Sequence, residues 1–146
     1  EGALRRSLID ALIERAPFEV PPGLIERRLS QRLANAHQQL ESVMEHEELH
    51  VRMNEWRVAW RPEAEREVRE ALLLEAVAER QGFEAENSEV AERIERMARD
   101  QGMAPDRLRK LYEERDLLGG LRVRLREEKA LEFLTSQAKV EATSGT

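Results

Sequence analysis

Apolar residues recur at intervals of three and four along almost the whole chain, which is the spacing of positions on one face of an α-helix. The longest such stripe follows Pro22 and comprises Ile25, Leu29, Leu33, Ala36, Leu40 and Val43. Val20 precedes two prolines, and a residue before proline is pushed out of the helical region. The pattern therefore predicts a short first helix that Pro17 ends, and a long helix from Pro22 to about Glu45.

Further stripes continue after the long helix. We expect a turn near residues 45–50, a short helix to about Trp60, and a longer helix from Pro62 to Arg80. Gly82 is the predicted end of that helix, because glycine adopts the left-handed conformation that terminates helices. Residues 71–78 are apolar on nearly all sides, which predicts that this part of the helix is deeply buried.

The second half of the chain reads as shorter helices separated by turn residues. Asn87 or Ser88 is suited to cap a helix that Gly102 ends, and Pro105 opens the next helix. Gly119 and Gly120 are expected to weaken or break the chain before the last helix. Residues 143–146 are predicted to be a disordered tail, and residues 139–141 are candidates for a short extended piece.

Composition bears on the shape of this all-α chain. Charged residues make up 37% of the sequence and aromatic residues only 4%, which is typical of long helices with few large core side chains. We predict one helical domain over about residues 1–142, with an extended multi-helix body and two helical-hairpin arms. The body helices are placed at about 1–35, 64–82 and 121–138, arm 1 at about 36–63 and arm 2 at about 83–120.

Several classes of function are disfavoured. The net charge of −6 argues against nonspecific binding to nucleic acid, which requires a basic face. The absence of cysteine excludes disulfides and thiol chemistry. The sequence offers neither an apolar run of about 20 residues nor a secretory signal, so we expect a cytoplasmic protein without membrane contact. No phosphate-binding loop or nucleophile motif suggests catalysis or a cofactor.

One short motif resembles a zinc site. His46, Glu47 and His50 fit the pattern His-Glu-x-x-His, in which two histidines one helical turn apart bind zinc and the glutamate activates water. Candidates for a third ligand are Glu67, Glu70 and Glu75. The motif is short and glutamate is abundant here, so a solvated turn explains it better. A helical zinc hydrolase is kept as an alternative.

We expect a set of apolar residues to be surplus to a core, since its members lie on short amphipathic segments near the predicted hairpin turns. Methionine is flexible and polarizable, so it adapts to partners of different shape. The same residues could instead hold each hairpin together, and both interpretations stay open. These candidate binding residues are Met44, Leu49, Met53, Trp56, Met97, Met103, Leu108, Leu111, Tyr112, Leu117 and Leu118.

Three segments, in the right order, resemble the C-terminal chaperone domain of bacterial trigger factor. They are EVPPGLIERRL at residues 19–29, LLLE at 72–75 and KALEFLTSQAKV at 129–140. The chain departs from the family at Glu86, where a serine or threonine cap is common, and it shows no clear family motif between Met44 and Trp60.

The resemblance implies an ATP-independent chaperone domain that holds unfolded or nascent polypeptides in an apolar cradle. In the family, an N-terminal ribosome-docking domain and a peptidyl-prolyl isomerase domain accompany it, and neither is expected in these residues. The fragment is therefore expected not to be an enzyme and to meet the ribosome only through a missing domain. A homodimer is possible, and a structural helical scaffold is a further alternative.

Overall fold

In a computed structural model of the protein, residues 2–15 and 18–145 are described, and every regular element among them is an α-helix. The all-α prediction is thus confirmed. Two units are distinguished, Gly2–Leu73 (the first unit) and one that starts at Leu74 (the second unit), so the boundary falls within a helix. The helices are α1 (Gly2–Arg15), α2 (Pro22–Leu40), α3 (His46–Ala59), α4 (Arg61–Gln81), α5 (Asn87–Gln101), α6 (Pro105–Glu114) and α7 (Leu118–Ser144).

Ion pairs tie α1 to α4 within the first unit. Arg6 donates two hydrogen bonds to the Glu63 carboxylate, at 3.2 and 3.1 Å, and Asp10 accepts one from Arg66 at 2.8 Å. Ile9 is the buried residue of α1. The helix reaches Arg15, whereas Pro17, its predicted end, lies outside the described residues.

The predicted continuation of α2 to Glu45 is wrong, because α2 ends at Leu40 and α3 already begins at His46. The Leu40 carbonyl accepts hydrogen bonds from the backbone N–H groups of Val43 and Met44, both at 3.0 Å, which closes a turn. Val43 extends the apolar stripe in sequence but is 75% exposed. The apolar spacing continues through this turn in the sequence, so the spacing alone does not indicate it. The chain turns here because the apolar face of α3 packs on α2.

The apolar segment at residues 71–78 of α4 is less buried than its composition predicted. Leu74 and Ala78 are buried, at 4% and 0% exposure, while Ala76 is exposed and the others lie between. Burial follows the helical spacing of four, since a helix that has neighbours on one side can bury only that side. Pro62 lies in the first turn of α4, where its missing N–H costs nothing.

An apolar cluster packs three helices of the second unit together. The cluster joins α5, α6 and α7, and its buried members are Val90, Ile94, Ala98, Leu108, Leu121 and Leu125. Gly82 and Gly102 have φ angles of 69° and 66°, in the left-handed region, which confirms that both glycines terminate helices. After Gly102, the N–H of Met103 donates to the carbonyl of Ala98 at 2.8 Å, which completes the helix-terminating motif.

The predicted break at Gly119 and Gly120 is wrong, because both glycines lie in the first turn of α7. Asp116 instead makes the reversal, with a φ of 54°, and Leu117 N–H donates to the Tyr112 carbonyl at 2.8 Å. Aspartate is one of the few residues besides glycine that tolerates this conformation. Glycine near a helix end therefore marks a possible break without requiring one.

The C-terminal predictions also need correction. Residues 139–141 are helical rather than extended, and α7 continues through Ser144. The Thr143 hydroxyl donates to the Lys139 carbonyl at 2.5 Å, and Ser144 does the same to Val140 at 3.0 Å. Thr146 lies outside the described residues. Thr143 and Ser144, which lie in the predicted disordered tail, are thus helical in the structure.

Three cations on one face of α7 hold the segment that joins α4 to α5. Arg122, Arg126 and Lys129 donate to the backbone carbonyls of Ala85, Phe83 and Glu84, at 2.9, 2.8 and 2.7 Å. These bonds satisfy carbonyl groups that have no helical partner.

The start of α5 is capped by Glu86, not by Asn87 or Ser88 as predicted. The N–H of Glu86 donates to Glu89 Oε1 at 3.1 Å, and Lys129 Nζ lies 2.5 Å from the same oxygen. Asn87 is already the first residue of α5, and its side-chain oxygen accepts a hydrogen bond from Arg122 at 2.7 Å. A glutamate at this position is therefore compatible with a well-defined helix start.

We predict that Gly102→Ala lowers the free energy of unfolding by about 1 to 2 kcal/mol, because an L-residue is strained at a φ of 66°. A Cβ at this position meets no atom within 4 Å, so the loss would reflect the backbone alone. Gly120→Ala is the matched control: it too has space, but it lies in a helix, so stability should be unchanged or higher. Urea unfolding measures both, and equal effects would contradict the assignment.

Candidate functional site

The candidate binding residues separate into two sets that lie in different units. Met44, Leu49, Met53 and Trp56 belong to the first unit, and the other seven candidates belong to the second. The two sets are described separately below, because each is built on its own helices.

In the first set, Leu49 is only 2% exposed and is part of the core of this unit. Met53 and Trp56 are half-buried on the side of α3 that faces α2, and Met44 is half-buried in the preceding turn. They thus present only part of their apolar surface. The buried cluster beneath Met53 and Trp56 is Ile25, Leu29, Leu33 and Ala64.

Trp60 extends this apolar surface, although it was not among the predicted binding residues. Its ring stacks on that of Trp56, with centroids 4.9 Å apart and planes inclined by 5°. The guanidinium of Arg32 lies 5.5 Å from the Trp60 ring centroid, at cation–π distance. The spacing of four residues between the two tryptophans was the available signal, because it places both on one helical face. Together they form an aromatic platform beside Met53.

In the second set, Leu108 is 4% exposed and belongs to the buried cluster. Met97, Met103, Tyr112 and Leu118 pack around that cluster while remaining partly exposed. The Tyr112 hydroxyl lies 3.9 Å from the Met97 sulfur, which is a weak polar contact. The second set thus contains methionine and tyrosine side chains that are partly exposed to solvent and pack around a buried apolar cluster.

The cleft between α6 and α7 brings two of the candidates together. Tyr112 and Leu117 line it with Gly120, Leu121 and Arg124. Leu117 is 44% exposed, and Leu111 is half-buried on α6. An apolar side chain of a ligand could enter this cleft without unfolding the helices that form it.

The remaining candidates can offer shallow apolar contacts. Burying a large apolar side chain completely contributes about 1.5 to 3 kcal/mol, so a side chain that is already half-buried contributes a fraction of that. Several such contacts would be needed for measurable affinity. The arrangement suits weak, reversible binding of extended apolar segments better than tight binding of a small molecule.

The His-Glu-x-x-His motif lies in the first turn of α3, and His46, Glu47 and His50 are all exposed. His46 and His50 line a cleft that also contains His37. Nevertheless, the described residues contain no group of three or more His, Cys, Asp or Glu side chains arranged to hold a metal ion.

The three glutamates nominated as further zinc ligands are paired with arginines. Glu67 accepts from Arg32 at 2.9 Å and Glu70 from Arg66 at 2.7 Å. Glu75 pairs with Arg126. Glu67 and Glu75 thus pair with arginines of other helices, Glu70 pairs with an arginine of its own helix, and the zinc-hydrolase alternative gains no support.

Carboxylates along α5 and α7 form the best-defined electrostatic contacts of the second unit. Arg93 donates two hydrogen bonds to Glu128, at 3.0 and 2.6 Å, which lowers the pKa of that carboxyl group below its usual value. The pKa of Glu89 is also lowered, first by the hydrogen bond from Lys129 and then by that from the Glu86 N–H. These pairs join α5 to α7 beside the apolar cluster.

The fold is an all-α domain in which partly exposed apolar residues lie on the surfaces of helices that pack in hairpins. The family model described as "Bacterial trigger factor protein (TF) C-terminus" matches residues 1–136. The chain belongs to this family. The residues that carried the resemblance in the sequence therefore identified it correctly.

Individual relatives agree with this assignment. The chain is 30% identical over 142 residues to the trigger factor of Syntrophotalea carbinolica, an alignment that covers 97% of this chain and 32% of the relative. It is 32% identical over 142 residues to the trigger factor of Geotalea daltonii. This alignment covers 96% of this chain and 33% of the relative. The chain thus spans about a third of the length of these relatives. No solved structure matches the chain significantly.

The lowered pKa of Glu128 predicts a pH-dependent contribution of Arg93 to stability. A carboxyl group whose pKa is lower in the folded state stabilises the protein above its unfolded pKa of about 4.3, and this contribution is lost as pH falls through the folded value. Arg93→Gln should therefore lower the free energy of unfolding by at most about 1 kcal/mol at pH 7, with a smaller difference near pH 3.

Urea unfolding of wild type and variant at several pH values tests this expectation. Arg109→Gln is the control, because Arg109 pairs with Glu113 where both side chains are about half exposed, at 50% and 53%. It should change stability less than Arg93→Gln at pH 7. A difference for Arg93→Gln that is independent of pH would show that the carboxylate is not the relevant partner.

Proposed function

We propose that this domain is an ATP-independent chaperone module that holds unfolded or nascent polypeptides on partly exposed apolar surfaces of its helical hairpins. The observation that carries the proposal is the placement of Met53, Trp56, Met97, Tyr112 and Leu117, which keep accessible surface while their helices are anchored to buried clusters. Membership of the trigger factor family supports the same function.

The chemistry of these surfaces favours many clients over one. Methionine side chains adapt to different shapes, and tryptophan and tyrosine contribute large contact areas. Shallow contacts give low affinity per site, so a client is held through several of them and released without an energy source. Charged residues make up 37% of the chain, and this favours solubility of the free domain despite its exposed apolar positions.

Other parts of the relatives' chains would supply further activities. We propose that ribosome docking and peptidyl-prolyl isomerisation, where the whole protein has them, reside outside these residues, and that the domain acts in the cytoplasm. None of the helices in the described part of the chain is long and apolar enough to cross a bilayer. A homodimer stays a prediction.

The first test is suppression of aggregation of several unrelated denatured proteins by a several-fold excess of the domain. We expect wild type to suppress aggregation, and Met53→Ser combined with Trp56→Ser to weaken client affinity by about three- to tenfold, because two apolar contacts are lost. Leu117→Ser is a second variant, chosen because Leu117 is 44% exposed and its replacement should not disturb the core.

Val123→Ser combined with Val140→Ser is the matched control. These valines are 51% and 63% exposed on α7 but are not candidate binding residues, so their loss should leave client affinity unchanged. Circular dichroism and urea unfolding verify that each variant is folded. Failure of wild type to suppress aggregation would contradict the proposal, and binding of one partner alone would favour the structural-scaffold alternative.

A further inference from the structure

The two tryptophans of the chain meet where α3 ends and α4 begins. Trp56 lies on α3, and Trp60 is the residue between the two helices. The backbone N–H of Trp60 donates to the Trp56 carbonyl at 2.8 Å, and the Trp60 carbonyl accepts from the Ala64 N–H at 3.0 Å. The backbone of Trp60 is therefore fixed by both helices, whereas the direction of its ring depends on side-chain contacts.

One of these side-chain contacts comes from Arg32 on α2. Its guanidinium lies 5.5 Å from the centroid of the Trp60 ring and also donates to Glu67 Oε1 at 2.9 Å. Both charged side chains are half-buried, so water competes only partly for their hydrogen bond. Because Glu67 belongs to α4, the guanidinium is held over the ring by a charge-assisted hydrogen bond to a second helix.

The stack of Trp56 and Trp60 does not fix its own geometry. The ring centroids are 4.9 Å apart and the planes are inclined by 5°, while aromatic pairs in proteins adopt edge-to-face arrangements as readily as offset stacks. Both rings are half-buried against the cluster below them, so part of each ring is accessible. A further contact is therefore needed to select the stacked arrangement, and Arg32 supplies one.

We propose that Arg32, held by Glu67, is a positioning residue for client binding. It keeps the Trp60 ring stacked on Trp56, so that the aromatic platform is ordered before a client arrives. A surface that is already ordered loses less side-chain entropy on binding than a mobile one. Client affinity should thus depend on Arg32 through the ring that it holds. This inference rests on the proposed function, because it assigns a role within the same binding surface.

Arg28 provides a matched control on the same helix. It lies one helical turn before Arg32 and approaches the same carboxylate, Glu67, at 3.8 Å. The cation–π contact with Trp60, however, is made by Arg32. Arg28→Met and Arg32→Met therefore remove the same charge from the same helix, but only the second removes the contact with the ring.

Circular dichroism measures the order of the platform. The chain has two tryptophans and both belong to this pair, so the tryptophan signals report on the platform alone. Stacked indole rings couple their electronic transitions, and ordered aromatic side chains give a near-UV signal that is lost when their packing is lost. We expect a tryptophan couplet in wild type, retention of the couplet in Arg28→Met, and its loss or strong reduction in Arg32→Met.

Client affinity is measured with a fluorescently labelled polypeptide that is kept unfolded by carboxymethylation of its cysteines. Arg32→Met should bind it about two- to fivefold more weakly than wild type, and Arg28→Met should bind it equally well. Arg32→Lys should lose less than Arg32→Met, because the ammonium keeps the charge but not the planar guanidinium. In a Trp60→Leu background, Arg32→Met should have no further effect, because the ring through which Arg32 acts is absent.

Urea unfolding verifies that each variant is folded. If Arg32→Met does not fold, Glu67→Gln replaces it, because this change weakens the hold on the guanidinium and leaves the apolar cluster intact. It should lower the couplet and the client affinity in the same direction.

A couplet that persists in Arg32→Met, an affinity equal to that of wild type or Arg28→Met, or a further loss in the Trp60→Leu background would overturn the positioning role. Each of these outcomes would leave the chaperone proposal in place. Failure of wild type to bind the unfolded polypeptide would instead contradict both proposals.

Discussion

Most helices of this chain have one apolar stripe, and burying that stripe against a neighbouring helix is the constraint on which the rest of the structure depends. The cores that result are thin, since the largest fully buried side chains are Ile9, Leu29 and Leu33. Larger side chains such as Trp56 and Tyr112 lie beside the buried rows and keep part of their surface. The same limited burial that stabilises the hairpins therefore creates the apolar surfaces that can hold a polypeptide.

Polar contacts complement these thin cores by fixing the segments between helices. Arg126 donates to the backbone carbonyl of Phe83, and Arg69 donates to that of Phe18 at 2.6 Å in the first unit. In both places an arginine satisfies a carbonyl group outside the helices and lies near an aromatic or apolar side chain.

Helix ends were predicted correctly where the backbone conformation at the end strongly favours one residue type. Gly82 and Gly102 terminate helices as predicted, and Pro105 opens α6. The candidate binding residues were less predictable, because Leu49 and Met53 share a helical face but differ in burial. A periodic stripe identifies the face that meets a neighbour, but it does not reveal which of its residues lie at the centre of the contact and which at the edge.

The sequence by itself determined the helical class, the helix ends at Gly82 and Gly102, the helix start at Pro105 and the family. These depend on spacing, on glycine and proline, and on short segments in order. Only the tertiary structure decided where the chain turns after Leu40, that Asp116 rather than Gly119 makes the last reversal, and that Glu86 caps α5. These features depend on contacts between residues distant in sequence. Packing between helices selects one backbone conformation where local preferences allow several. The spacing of apolar residues in the sequence does not indicate which conformation is selected.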